Sequence, residues 1–253
     1  VSEEQEPTAP LRPRKKSSQR RRKYRRFRKN FFVAFFIDLV VVLGAALVLS
    51  LLIKTFLIRS FFIPSGSMLE TLQIDDRIIV NQLTPALYPI ERGDVVVFKD
   101  PGGWLGPDIE EPTDPVIVAV DWFLSAFGIT APDSKQHLVK RVIGVAGDKV
   151  ICCDANGLIT INGVPISEPY LASGQTPSTV EFDVTVPKNS LWVLGDNRGN
   201  SEDSRFHGDL PSKGFVSNDW VVGRAFIISW PVSNWEWLDN YPDVYKNVPD
   251  PSN

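Results

Sequence analysis

The stretch HLVKRVIGVAGD, residues 137–148, decides how the chain reads. It is short, rich in β-branched residues and closed by Gly and Asp, the make-up of a strand. Side chains alternate faces along a strand, so Leu138, Lys140 and Val142 share one face and Val139, Arg141 and Ile143 share the other. Lys140 therefore sits between apolar neighbours. The same character recurs in RIIVNQL (77–83), DVVVFKD (94–100), DKVICCD (148–154), LITINGVPI (158–166), VEFDVTVP (180–187), LWVLGDN (191–197) and VVGRAFIISW (221–230). Gly, Pro, Asn and Asp separate these runs, which predicts a mainly β domain, either a barrel or packed sheets.

The first sixty residues do not fit that pattern. Residues 31–53, FFVAFFIDLVVVLGAALVLSLLI, are apolar apart from Asp38. As a helix they would reach about 34 Å, enough to cross a hydrocarbon core of about 30 Å. A cleavable leader has a shorter apolar region of roughly 7–15 residues. The expectation is a membrane-spanning signal-anchor over residues 31–58. Before it, residues 12–29 carry twelve Lys or Arg and no acid, while the remainder of the chain is acidic. This puts a basic, disordered tail (residues 1–30) in the cytoplasm and residues 59–253 outside it. Juxtamembrane bases facing anionic lipid explain the tail, so no nucleic-acid partner is expected.

Residues 100–136 read as an insertion. Its segment VIVAVDWFLSAFGI (116–129) is too short to span and predicts an amphipathic helix, packed on the sheet or lying at the membrane surface. Trp230, Trp235 and Trp237 fit rim aromatics or headgroup-level anchors. Cys152 and Cys153 are the only cysteines, and their adjacency favours two thiols in a strand over a disulfide. Two cysteines and two distant histidines do not make a metal site, and no cofactor motif is present.

Three segments could carry chemistry. FFIPSGSMLETL (61–72) offers two serines, Ser65 and Ser67, around a glycine. A serine hydroxyl attacks only when a base takes its proton. His207, in DSRFHGD, could serve as that base, but no G-x-S-x-G elbow surrounds either serine. Lys140 could serve if burial disfavours its ammonium and frees a neutral amine. From periodicity alone, a lysine that snorkels to solvent from a half-buried strand is the favoured reading. GDNRGNSEDSR (195–205) packs three acids, two arginines and two serines into eleven residues, enough to orient a base and tie strands together by ion pairs.

Taken in order, IPSGSMLETL (63–72), RGDVVVF (92–98), LVKRVIGVAGD (138–148) and GDNRGNSEDSR (195–205) resemble the bacterial type I signal peptidases. These are membrane-anchored Ser/Lys proteases that remove signal peptides from exported preproteins. The anchor before the blocks and GRAFIISWP (223–231) after them fit too. The resemblance implies an antiparallel β catalytic domain, signal-peptide-bearing preproteins and membrane lipid as partners, and no cofactor. It implies Ser67 as nucleophile and Lys140 as general base. Ser65 would join the Ser67 N–H in an oxyanion hole, and Ser201 would orient the lysine. Arg141, Asp203 and Arg205 would form one structural ion-pair group, with Gly195 at a close backbone approach. Ile63, Pro64, Val97 and Val139 are the candidate lining of a pocket for small residues at −1 and −3 from the cut. Ser67 follows Ile53 by only fourteen residues, which predicts a site near the outer membrane surface. One position departs from the family pattern: Glu70 stands where proline is common. Penicillin-recognising Ser-Lys enzymes need S-x-x-K, and Glu70 fills that lysine's place as well. A membrane-tethered β domain that binds export substrates without cutting them is the non-enzymatic alternative.

Overall fold

The computed structural model describes residues 17–106 and 136–251. The expected helix at 116–129 and the first sixteen residues of the tail lie outside that range. The chain divides into two compact units, Val1–Ser50 and Leu51–Asn253.

The first unit consists of most of helix α1 (Ser17–Phe56). Within it Phe31–Ile53 has a mean hydropathy of 2.8, long and apolar enough to cross a membrane. The helix begins well before the apolar run, so residues 17–30 are helical and not disordered as the sequence suggested. Arg, Lys and Gln are good helix formers, and a helix already nucleated by the apolar run propagates into them at little cost.

The second unit is built from antiparallel strands. β1 (Ile58–Phe62), β2 (Arg77–Asn81), β3 (Val95–Lys99), β4 (His137–Gly144), β5 (Lys149–Cys152), β6 (Thr160–Ile161) and β7 (Val164–Pro165) come first. β8 (Phe182–Thr185), β9 (Ser190–Leu194), β10 (Val216–Ser217), β11 (Val221–Trp230), β12 (Glu236–Trp237) and a single helical turn, α2 (Pro242–Tyr245), follow. The larger sheet runs β1-β2-β11-β3-β4-β9-β10, with β12 added on β11; the smaller runs β7-β6-β5-β8. The mainly β expectation holds. Three strands escaped the sequence reading. β1 looks like a continuation of the apolar run, and β10 and β12 are only two residues long.

The larger sheet is buried on both faces at its centre. In β3, Val95 and Val97 point into one apolar cluster with Met68, Leu72, Ile78 and Val80. Val96 and Phe98 point into another with Leu138, Val142, Val193 and Val216. Burial on both sides explains why β3 reads as an unbroken apolar run. A third cluster joins Ile143 and Leu194 to Val150, Ile161 and Tyr245 beside the smaller sheet.

Cys152 and Cys153 are bonded to each other at the end of β5, not two separate thiols. Trp230, Trp235 and Trp237 are all more than half exposed.

Candidate active site

The nucleophile turn is held from below. Ser65 is extended, and Gly66–Met68 then form one 3-10 turn. Met68 and Leu72 are almost fully buried, and each such side chain contributes about 1.5–3 kcal/mol of burial free energy that seats the turn. Glu70 takes φ 79°, a left-handed conformation that a proline ring excludes. A proline could not take this backbone conformation at position 70.

β4 lies between β3 and β9, with Val96 opposite Lys140 and Leu194 opposite Arg141. Lys140 is only 2% exposed, on the same face as Leu138 and Val142. It does not snorkel: its Nζ donates to Ser67 Oγ at 2.7 Å. Burial pushes the amine down to about 8, against the opposing pull of the Asp203 and Asp196 carboxylates. At pH 7 roughly a tenth of the lysine is then neutral. Ser65 Oγ lies 3.5 Å from Ser67 Oγ. Among the described residues nothing accepts the Ser67 backbone N–H.

The loop after β9 locks the turn in place. Asn197 N donates to Ser67 O at 3.1 Å and Asn197 Nδ2 donates to Gly66 O at 2.8 Å. Gly195 lies where any Cβ would overlap the Ser67 carbonyl oxygen and Ser201 Oγ, so the expected close backbone approach is there. Asp196 accepts from Thr71 Oγ1 and from both Nε and Nη2 of Arg141. The nucleophile turn, the lysine strand and this loop thus converge on one buried carboxylate.

Two expectations about polar partners need correction. Arg141, Asp203 and Arg205 do not form one group: Arg141 pairs with Asp196 and Arg205 with Asp203. The pairing of Arg141 with Leu194 brings Asp196, two residues on, to the guanidinium. Ser201 Oγ donates to Asp203 Oδ2 at 2.8 Å, so its hydrogen bond goes to the ion pair and not to the lysine amine. His207 is no triad base either; its Nδ1 contacts Asp203 O at 2.8 Å and its ring stacks on Trp104.

Two cavities meet at Ser67 and Lys140. The first, 330 Å³, is lined by Phe61, Ile63, Pro64, Met68 and Val139, with Leu105 at its edge. Ile63, Pro64 and Val139, three of the four candidate pocket residues, line this cavity. Val97 does not: it is fully buried against Met68 and Leu72, because it pairs with Val139 from the inner strand. The second, 490 Å³, is more polar, with Asn200, Ser201, Glu202 and Phe206 among its walls. β1 is an edge strand, and the Leu138–Lys140 part of β4 precedes the segment that β9 covers. Both border the first cavity.

Sequence reasoning overlooked Asp196, Asn197 and Leu105. The first two stood in the dense 195–205 loop, but the partners that tie them to the site, Arg141, Gly66 and Ser67, are more than fifty residues away. Among the described residues no cluster of metal-ligating side chains occurs.

A β domain that buries a lysine amine against a serine hydroxyl has the make-up of a serine peptidase. The family model for signal peptidases, peptidase S26, matches residues 36–230. A signal peptidase I of Mycobacterium tuberculosis (strain ATCC 25618 / H37Rv) is 38% identical over 225 residues, covering 78% of this chain and 74% of that protein. A probable signal peptidase I of Mycobacterium leprae is 38% identical over 210 residues, covering 72% and 71%. A crystal structure of a signal peptidase I from Enterococcus faecalis V583 is 24% identical, covers 53% of this chain and 95% of that one, and has a TM-score of 0.34. The chain belongs to the signal peptidases of family S26. With the apolar helix, that membership makes it a membrane-anchored serine peptidase.

Proposed function

We propose that the chain cleaves N-terminal signal peptides from exported preproteins through a Ser67–Lys140 dyad and an acyl-enzyme. The observation that carries this reading is the 2.7 Å contact between Lys140 Nζ and Ser67 Oγ, with the lysine buried and its pKa lowered to about 8. Once Lys140 loses its proton, the contact reverses: the hydroxyl donates to the amine lone pair. As Ser67 Oγ attacks the scissile carbonyl, its proton passes to Nζ and from there to the departing amine of the mature chain. The regenerated amine then takes a proton from water, which attacks the acyl carbonyl and releases the signal peptide.

Charge on the carbonyl oxygen falls to the Ser67 N–H and the Ser65 hydroxyl. Ser201 acts at one remove, by holding Asp203, whose carboxylate is the largest counterweight to the burial of the lysine. The two Arg–Asp pairs keep the scaffold rigid behind the dyad.

The substrate segment enters as an extended strand between β1 and Leu138–Lys140, with main-chain bonds giving affinity and alternate side chains entering the apolar cavity. Ile63, Pro64 and Val139 suit small apolar residues at −1 and −3. The basic stretch before the apolar helix supports a cytoplasmic N-terminus and an extracytoplasmic peptidase domain in the cell membrane.

The test is to incubate the detergent-solubilised full chain with a preprotein and sequence the product N-terminus. We expect one cut at a signal-peptide boundary, absent in Ser67→Ala. Cleavage that survives that substitution would overturn the assignment.

A further inference from the structure

The apolar cavity accounts for one side of the scissile bond. The second cavity has no assigned role. It touches the same Ser67 and Lys140 and extends the other way, past Asn200, Ser201, Glu202 and Phe206. Two cavities that meet at a nucleophile correspond to the two sides of the bond it attacks. With the signal peptide in the apolar one, the first residues of the mature chain must leave through the other. This step rests on the peptidase reading above.

Among the described residues the charge at that exit is one-sided. Arg198 also lines it, but the guanidinium is buried and spent on Glu168, at 2.6 and 2.8 Å. Lys140 is the base and works as a neutral amine. Glu202 is different: its side chain is 73% exposed, and among the described residues its salt-bridge partner is His207 Nε2 at 4.0 Å, charged only when protonated. Its position is fixed by its neighbours. Ser201 and Asp203 are both extended and both buried, and are hydrogen-bonded to each other. Alternation along an extended segment turns Glu202 the opposite way, out to the cavity rim. Its charge also reaches the Lys140 amine.

We infer that Glu202 is a specificity-determining residue, which makes the enzyme discriminate by charge at the first residues of the mature chain, favouring basic and disfavouring acidic ones. It acts by through-space attraction or repulsion at a wet rim, where one charge pair changes a rate by a few-fold to about tenfold.

The experiment uses three peptides that share one signal sequence. They differ in the first two residues after the cut, which are both Lys, both Gln or both Glu. The full chain in detergent is assayed at one pH, and kcat/KM is compared as the Lys-to-Glu ratio within each variant. We expect a ratio of about 10 in the parent enzyme, falling towards 1 in Glu202→Gln and below 1 in Glu202→Lys. The parent ratio should also shrink in 0.5 M salt, where charges at a rim are screened. A ratio that stays within twofold of the parent value in both variants would overturn the proposal for Glu202. The Gln peptide separates this from the broader reading. If it is cut in a Ser67-dependent way while the ratio ignores Glu202, only this inference fails. If it is not cut, or is cut equally by Ser67→Ala, the peptidase assignment fails and takes this one with it.

Discussion

Lys140 and Arg141 are neighbours in β4, both cations by default and both buried, yet they end in opposite states. Arg141 is completely buried and completely supplied. Its Nε and Nη2 reach Asp196, and its Nη1 donates to Gly93 O and Asp239 O. The plane of its guanidinium also lies over the Tyr170 ring, 4.2 Å from the centroid. Lys140, one residue earlier and on the other face, has among the described residues a single side-chain hydrogen-bond partner, Ser67. Burial alone does not decide whether a cation keeps its charge; the partners it is buried with decide. A guanidinium with matched acceptors becomes structure, while an ammonium with three donors and one acceptor becomes a base.

The sharpest way to break this comparison is Lys140→Met. It should cost roughly 10⁴-fold or more in cleavage rate, read in single-turnover assays. At pH 7 it should also raise stability, by up to about 3 kcal/mol, because the folded enzyme no longer buries an ammonium. A variant that is inactive and also less stable would show that the lysine is a structural group. Arg141→Met should do the reverse of that gain. It leaves Asp196 buried without its counterion and should destabilise the chain by about 3–5 kcal/mol, measured by thermal or urea unfolding in detergent. A loss below 1 kcal/mol would remove the contrast.

Ser65→Ala should leave a folded enzyme with a remnant of activity, lowered about 10²–10³-fold in kcat, as for the loss of one oxyanion donor. An unchanged kcat would exclude its hydroxyl from that role. The smallest effect is the pH profile. With a folded pKa of about 8, the neutral fraction of Lys140 rises about tenfold between pH 7 and pH 9, and kcat/KM should follow it. The stability from this group has a definite sign. The unfolded lysine holds its proton to about 10.5 and the folded one to about 8. Between those values the unfolded chain binds more protons, so stability rises with pH across that window. Below 8 both forms are protonated and the cost of burial is carried in full. A rate flat from pH 6 to 9, with chemistry limiting, would break the base assignment.

Much of this arrangement was legible in the sequence. Eight β-branched runs became strands, and the order of four blocks, not any spacing, separated Ser67 from Ser65. What periodicity could not tell was whether Lys140 stays buried. Periodicity favours a lysine snorkelling to solvent; what overturns it is the cover over the strand, which Ser67 and the cavity walls supply. The partner of Arg141 was equally hidden. Asp196 and Asp203 stand in one loop, and only the register of β4 on β9 selects Asp196. Val97 failed for a related reason: an unbroken apolar run has two buried faces, so none of the four apolar residues of β3 is free to line a groove. The helical stretch from Ser17 was missed because basic composition was read as disorder, although the same residues extend a helix that is already started.

The clamp of Asn197 on Gly66 and Ser67 has a consequence for biosynthesis. It joins positions about 130 residues apart, and β4 supplies Lys140, the proposed base, from between them. A ribosome adding one residue at a time finishes the serine early and the lysine midway, yet the groups that fix them arrive only with residues 195–205. For much of its own synthesis the chain therefore carries both reactive side chains without the means to use them. If the proposed dyad does the cutting, competence to cut has to wait until the last of the four blocks has folded onto the first.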